Sequence, residues 1–142
     1  MKVVILAGGK GTRISEYTKI IPKPMIQIGS KPILEHIINY YLKFGFKDFI
    51  IASGYKHVII KNYFEKKNIR AKIDVVNTGI ETLTGTRLLK LAEELKQTFM
   101  LTYGDGLSNV NLIELLKFHK KNKKKNYCNS GASTSQIRRI EY

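Results

Sequence analysis

The sequence predicts an α/β fold, a mostly parallel sheet with helices on both faces. Three observations predict it. Short apolar runs alternate with stretches of helical period along the chain. The first run, Lys2–Ala7, is continuously apolar after its lysine, as a strand buried on both faces must be. Glycine-rich loops, Gly8–Arg13 and Gly104–Gly106, follow two of these runs, and ligands of parallel sheets sit beyond the carboxyl ends of the strands.

The elements follow in order. After the strand Lys2–Ala7 comes a glycine-rich, then proline-bounded loop over Gly8–Lys23. Met25–Ile28 reads as a short strand. Ser30–Phe44 reads as a helix, capped by Ser30, with Pro32 tolerated in its first turn and Ile33, Ile37, Ile38, Tyr41 and Leu42 on one stripe. Gly45 ends it. Phe49–Ala52 is a buried strand and His57–Phe64 a helix turning Val58, Ile59, Tyr63 and Phe64 inward. Arg70–Asn77 is a strand. Thr86–Leu95 is a helix with Leu88, Leu91, Ala92 and Leu95 inward, and Phe99–Tyr103 the next strand. Asn111–His119 closes this part as a helix with Leu112, Leu115 and Leu116 inward. Right-handed crossovers between such elements give a Rossmann-like arrangement over residues 1–122. Residues 123–142 hold a charge run and a small polar stretch without period, and read as an irregular or disordered tail.

Composition narrows the function classes. The 142 residues suit one domain, and 43% hydrophobic content excludes a wholly disordered chain. No apolar run approaches the ~18–20 residues of a membrane span, so no membrane partner is expected. The opening apolar run is too short for a signal peptide. The single cysteine, Cys128, fits a reducing cytosol and so a cytoplasmic protein. Lys+Arg is 25 and Asp+Glu 11, a net charge of +14 that favours an anionic partner. Twenty of the basic residues are lysines, mostly dispersed as on a solvated surface. No helix aims arginines at base edges and the aromatics fall on core faces, so no specific nucleic-acid partner is expected.

Four motifs carry chemistry. In Leu6-Ala7-Gly8-Gly9-Lys10-Gly11-Thr12-Arg13, glycines let backbone amides approach phosphate oxygens, and Thr12 and Arg13 add polar donors, although a plain turn has the same spacing. It is neither a Walker A loop nor a dinucleotide fingerprint. In Pro22-Lys23-Pro24-Met25, two prolines fix the backbone around one amine that can steady a phosphate, or bound a surface loop. In Tyr103-Gly104-Asp105-Gly106, an acid at a strand's carboxyl end suits magnesium, or makes an Asp-Gly turn. Thr78-Gly79 with Thr82-Leu83-Thr84-Gly85-Thr86-Arg87 sets hydroxyls and an arginine at a helix start, for an anion, a base edge or simple capping.

Together these motifs resemble the sugar-nucleotide pyrophosphorylases, a nucleotidyltransferase family. Within it the chain is most similar to the glucose-1-phosphate cytidylyltransferase branch. That closer likeness rests on Ser15-Glu16, Ile21–Gly29, Lys31-Pro32-Ile33-Leu34, Gly54-Tyr55-Lys56, Asn77-Thr78-Gly79, Thr84-Gly85 with Arg87-Leu88, and Thr102–Gly106. It implies nucleotidyl transfer from CTP to glucose 1-phosphate, giving CDP-glucose and pyrophosphate. Leu6–Gly11 would then hold the nucleotide, and Thr12 and Arg13 the triphosphate, with Arg13 steadying the leaving group. Lys23 would bridge the α-phosphate, Thr82 and Arg87 would help bind the nucleotide, Gly104 would sit beside it, and Asp105 would ligate Mg2+. Arg13 and Lys23 are the catalytic pair on this reading. The resemblance also implies a family-like homo-oligomer and nucleotide-sugar biosynthesis for surface polysaccharide such as lipopolysaccharide O-antigen.

The resemblance covers about residues 1–122. Glu65–Asp74 is shorter than the matching segment of the family. Tyr127–Arg138 matches nothing there, whereas Ile140-Glu141-Tyr142 resembles it again, as a shifted reading frame or a gene fragment would. In the family a further half-chain supplies much of the sugar pocket, so impaired turnover is expected. Other nucleotides, dTTP or UTP, and a non-catalytic nucleotide-binding remnant stay open as alternatives.

Overall fold

The strand β1 (Lys2–Ala7) runs through the middle of the sheet, and Val3, Val4 and Ile5 expose no surface. Its side chains alternate between two cores, as pleating demands. Val3, Ile5 and Ala7 enter one core, Val4 and Leu6 the other. The continuous apolar run thus records burial on both faces, each such side chain contributing about 1.5–3 kcal/mol. The structure, a computed structural model, describes residues 1–11 and 18–122 and the backbone of 126–128 and 136–138.

The other strands are β2 (Gln27–Ile28), β3 (Lys31–Pro32), β4 (Asp48–Ser53), β5 (Lys72–Asn77), β6 (Phe99–Tyr103), β7 (Asn126–Cys128) and β8 (Gln136–Arg138). The described helices are α1 (Ile33–Lys43), α2 (His57–Lys66), α3 (Thr84–Leu89) and α4 (Leu112–Asn122). The main sheet has the order β5-β4-β1-β6-β8-β7. Its first four strands are parallel, and β8 runs antiparallel to both β6 and β7. One core takes Leu34, Ile37, Ile38 and Tyr41 of α1, Ile60 and Phe64 of α2, and Leu112 and Leu115 of α4. The opposite core takes Leu88 of α3 with Leu91 and Leu95. Helices therefore cover both faces, as the alternating pattern predicts.

Several elements differ from their sequence reading. The Met25 end of the expected strand is a 3-10 turn over Lys23–Met25, and only Gln27–Ile28 pairs, with β3. That hairpin uses up Ser30, so α1 begins after Pro32 with no side-chain cap. At its other end Gly45 has φ +84°, the left-handed conformation that glycine adopts at low cost. The expected helix Thr86–Leu95 is α3 plus a 3-10 turn over Ala92–Glu94, although Leu88, Leu91, Ala92 and Leu95 are all buried. In α2, Val58 is 62% exposed and Ile59 also faces solvent, while Ile60 and Phe64 are buried. The phase is set at the first turn. Ser53 Oγ donates to Val76 O at 2.8 Å, and its oxygen takes the His57 Nδ1 contact at 2.7 Å, which ties that end of α2 to β4. Within 123–142, where the side-chain pattern shows no element, β7 and β8 form by backbone pairing onto β6.

The register positions the site. Ala7, Ser53 and Asn77 stand in one row across β1, β4 and β5, and Leu6 stands beside Tyr103 of β6. The segments that follow these strands, beginning at Gly8, Gly54, Thr78 and Gly104, consequently emerge side by side.

Candidate functional site

A cleft of about 480 Å³ opens above this row of strand ends. Leu6–Gly11 forms one wall, Ile80–Thr84 with Arg87 another, and Lys23, Pro24, Tyr103 and Asp105 the rest. All four sequence motifs reach it.

The glycine loop leaves β1 with Gly8 O accepting from Tyr55 N at 3.2 Å. Gly11 has φ +64°, a left-handed conformation that glycine adopts at low cost. A Cβ there would lie 2.9 Å from Thr18 Cγ2 and 3.1 Å from Lys23 Cβ, so the bare backbone also admits the lysine stem. Gly9 has open space beside it. Among the described residues, no backbone amide of Gly9, Lys10 or Gly11 donates to a protein acceptor. These amides suit an anion's oxygens. Lys10 Nζ pairs with Glu81 across the mouth of the cleft.

Lys23 begins the 3-10 turn, which is closed by Met25 N donating to Pro22 O at 2.8 Å. Pro24 and Met25 are buried beneath it, so the amine stands on a fixed mount. Its Nζ lies 2.5 Å from Asp105 Oδ2, although 82 positions separate the two residues. Asp105 follows Gly104, whose amide donates to Leu6 O at 2.9 Å. A Cβ on Gly104 would sit 3.2 Å from Ala7 Cβ, Leu6 O and Pro24 Cγ, a fit that brings the β6 end against both the glycine loop and the proline turn. The carboxylate is about one-third exposed, open to a ligand on its free side.

The fourth motif behaves differently. Thr82 lines the cleft, but its hydroxyl donates to Thr78 O at 2.6 Å. Arg87 is 5% exposed and its guanidinium is engaged by protein oxygens rather than by a carboxylate. Burial pushes its pKa down from the ordinary arginine value. The Lys23–Asp105 meeting, by contrast, shows in the sequence only as a proline-bounded lysine and a strand-end aspartate. Thr12 and Arg13 lie outside the described residues. Glu81, Tyr103 and Pro24, which sequence reasoning did not place at the site, join it through the loop after β5, the end of β6 and the 3-10 turn.

Asp105 suits a hard divalent cation that takes one protein carboxylate and fills its shell with water and substrate phosphate. Among the described residues no group of three or more His, Cys, Asp or Glu forms a metal cage. Among the same residues no helix is long and apolar enough to cross a membrane. The arrangement thus pairs an amine, a carboxylate and undonated amides around one polar cleft.

A family model described as nucleotidyl transferase matches residues 2–137. A probable glucose-1-phosphate cytidylyltransferase of Bacillus subtilis strain 168 is 44% identical, over 84% of this chain and 56% of its own length. The glucose-1-phosphate cytidylyltransferase of Salmonella typhimurium is 42% identical, over 88% of this chain and 58% of its own. The chain therefore spans a little over half the length of these relatives. Among solved structures, HddC from Yersinia pseudotuberculosis complexed with GMP-PN superposes with a TM-score of 0.71 at 27% identity, covering 83% of this chain and 53% of that one. A UDP-glucose pyrophosphorylase complexed with UDP-glucose has a TM-score of 0.76 at 17% identity, over 96% of this chain and 75% of that one, and shares the fold.

Proposed function

The chain belongs to the nucleotidyl transferase family, and on that premise we propose that it carries out cytidylyl transfer from CTP to glucose 1-phosphate. The observation that carries the reading is the convergence of Lys23, Asp105 and the backbone amides of Gly9–Gly11, which donate to no protein acceptor among the described residues, in one cleft. A triphosphate needs each of them: amides for its oxygens, an amine for the charge gathering at the reacting phosphorus, and a carboxylate for its magnesium.

In the proposed reaction a phosphate oxygen of glucose 1-phosphate attacks the α-phosphorus of CTP in line. The new P–O–P bond is that of CDP-glucose. The bond from the α-phosphorus to the bridging oxygen breaks, and pyrophosphate leaves with the electron pair. Asp105 would hold Mg2+, which when bound neutralises phosphate charge. Lys23, released from Asp105, would steady the α-phosphate. Arg13 and Thr12 are assigned to the departing phosphates by the family likeness alone. Leu6, Ala7 and Thr82 line the wall on which the nucleotide would lie, and Gly104, buried behind that wall, would sit beside it. On this reading the product is a cytoplasmic precursor for surface polysaccharide such as lipopolysaccharide O-antigen, and the enzyme is a homo-oligomer, as the family resemblance implies.

Pyrophosphate release with Mg2+, glucose 1-phosphate and CTP tests the proposal, with dTTP and UTP in parallel. Release with CTP in preference to the others is expected. Preference for dTTP or UTP would replace the nucleotide and keep the reaction. CTP binding without release would make the chain a nucleotide-binding unit, and no binding of any nucleotide would overturn the reading.

A further inference from the structure

The terminal nitrogens of the arginine in the fourth motif are all turned to protein oxygens. Arg87 Nη1 donates to Thr78 Oγ1 at 2.6 Å, Gly79 O at 2.7 Å and Ser53 O at 3.2 Å. Its Nη2 donates to Gly8 O at 3.0 Å and Ile80 O at 3.2 Å. The N–H groups on these two nitrogens are thus all directed at protein oxygens, and a phosphate would have to displace a carbonyl to reach them. The acceptors come from three segments: the glycine loop after β1, the end of β4 and the loop after β5.

Two glycines lie against this arrangement. A Cβ on Gly8 would lie 2.1 Å from Nη1 and 2.3 Å from Cζ of Arg87. A Cβ on Gly54 would lie 2.7 Å from Nη1 and 2.4 Å from Gly79 O. At Gly8 the guanidinium itself fills the space a Cβ would need, whereas at Gly54 the carbonyl of Gly79, which Arg87 holds, crowds the position first and the guanidinium second. A lysine ammonium, a single point charge, cannot span three segments in this way.

We propose that Arg87 is a positioning residue that clamps the glycine loop to the ends of β4 and β5, and that Gly8 is a glycine in order to seat it. The nucleotide acts one step away, at the amides of Gly9–Gly11, of which the Gly9 N–H shares its peptide plane with the Gly8 carbonyl that Arg87 holds. The consequence for binding rests on the nucleotide reading above; the clamp itself does not.

Two measurements test the clamp. In the ligand-free protein, Arg87→Lys and Gly8→Ala should each displace the backbone amide resonances of Gly9, Lys10 and Gly11, while resonances in α4 stay in place. In the folded proteins, well below their melting temperatures, both variants should bind Mg2+-CTP at least about tenfold more weakly. Gly8→Ala made in the Arg87→Lys background should add little further loss. Unmoved loop resonances in Arg87→Lys, or losses that add fully in the double variant, would overturn the clamp. Wild-type protein that binds no CTP would overturn the nucleotide reading instead, and the resonances would still decide the clamp.

Discussion

At the scale of single residues, the amine and the acid of the cleft carry separable predictions. Lys23→Ala removes a partly exposed ion pair, worth about 0–1 kcal/mol, so the melting temperature should shift by no more than about 4 °C. Pyrophosphate release should fall by about 10²–10³-fold, the usual cost of losing a group that stabilises developing charge. Comparable loss of stability and turnover would make Lys23 structural. Asp105→Asn should abolish the gain in CTP affinity that Mg2+ confers, and calorimetric titrations with and without the metal check it. What the sequence disclosed at this scale follows from chemistry. A proline-bounded lysine and a strand-end aspartate are visible as types, and the family resemblance joins them. The surroundings of Arg87 are invisible because its partners are mostly backbone carbonyls, which every residue carries. A buried arginine and a ligand arginine look alike in one dimension.

At the scale of elements, α1 and α2 are tied by a buried carboxylate. Glu35 is 4% exposed, and Tyr63 Oη donates to its Oε2 at 2.5 Å while Lys31 Nζ sits 2.9 Å from Oε1. Burial pushes the Glu35 carboxyl up, but the hydrogen bonds from Tyr63 and Lys31 and the charges of Lys31 and Lys67 outweigh it, and the net shift is downward. Burial and the bond to Glu35 push the Tyr63 phenol up to about 12. Because the folded carboxyl lies below its unfolded value, its contribution is present above the ordinary glutamate range and is lost as pH falls through the folded value. The raised phenol works in the other direction: its contribution is complete below the ordinary tyrosine value and fades as pH rises toward about 12. Tyr63→Phe should therefore cost about 1.5–3 kcal/mol at pH 7. The gap to wild type should narrow at pH 3, as urea denaturation at the two values would show, and a gap independent of pH would refute the tie. Strands were the legible elements here, since continuous apolar runs such as Phe49–Ala52 demand burial on both faces. The phase of α2 was not, because a tertiary bond at His57 chooses which of several apolar residues turn inward. The Ser30 cap failed for a similar reason, a competing hairpin with β2.

At the scale of the whole molecule, ligand and fold are coupled by mass action. Under the proposed function, Mg2+-CTP at about 100 times its Kd should add roughly 2.7 kcal/mol, or roughly 5–10 °C in melting temperature for a chain of this size. Thermal scans with CTP, dTTP and UTP should rank the nucleotides in the order of their use, and equal shifts with all three would remove the preference for CTP. The overall α/β architecture was readable because alternation and loop placement survive any local error. One feature of that architecture has a kinetic meaning. The amine and the carboxylate of the cleft neutralise each other in the ligand-free protein, so on the proposed reading a lone magnesium ion would share its carboxylate with Lys23, and a lone triphosphate would have to draw Lys23 away from Asp105 uncompensated. A magnesium–triphosphate salt would bring both counterions and exchange them in one event. On that reading the cleft favours the complete pair, and excess of either half by itself should compete poorly for it.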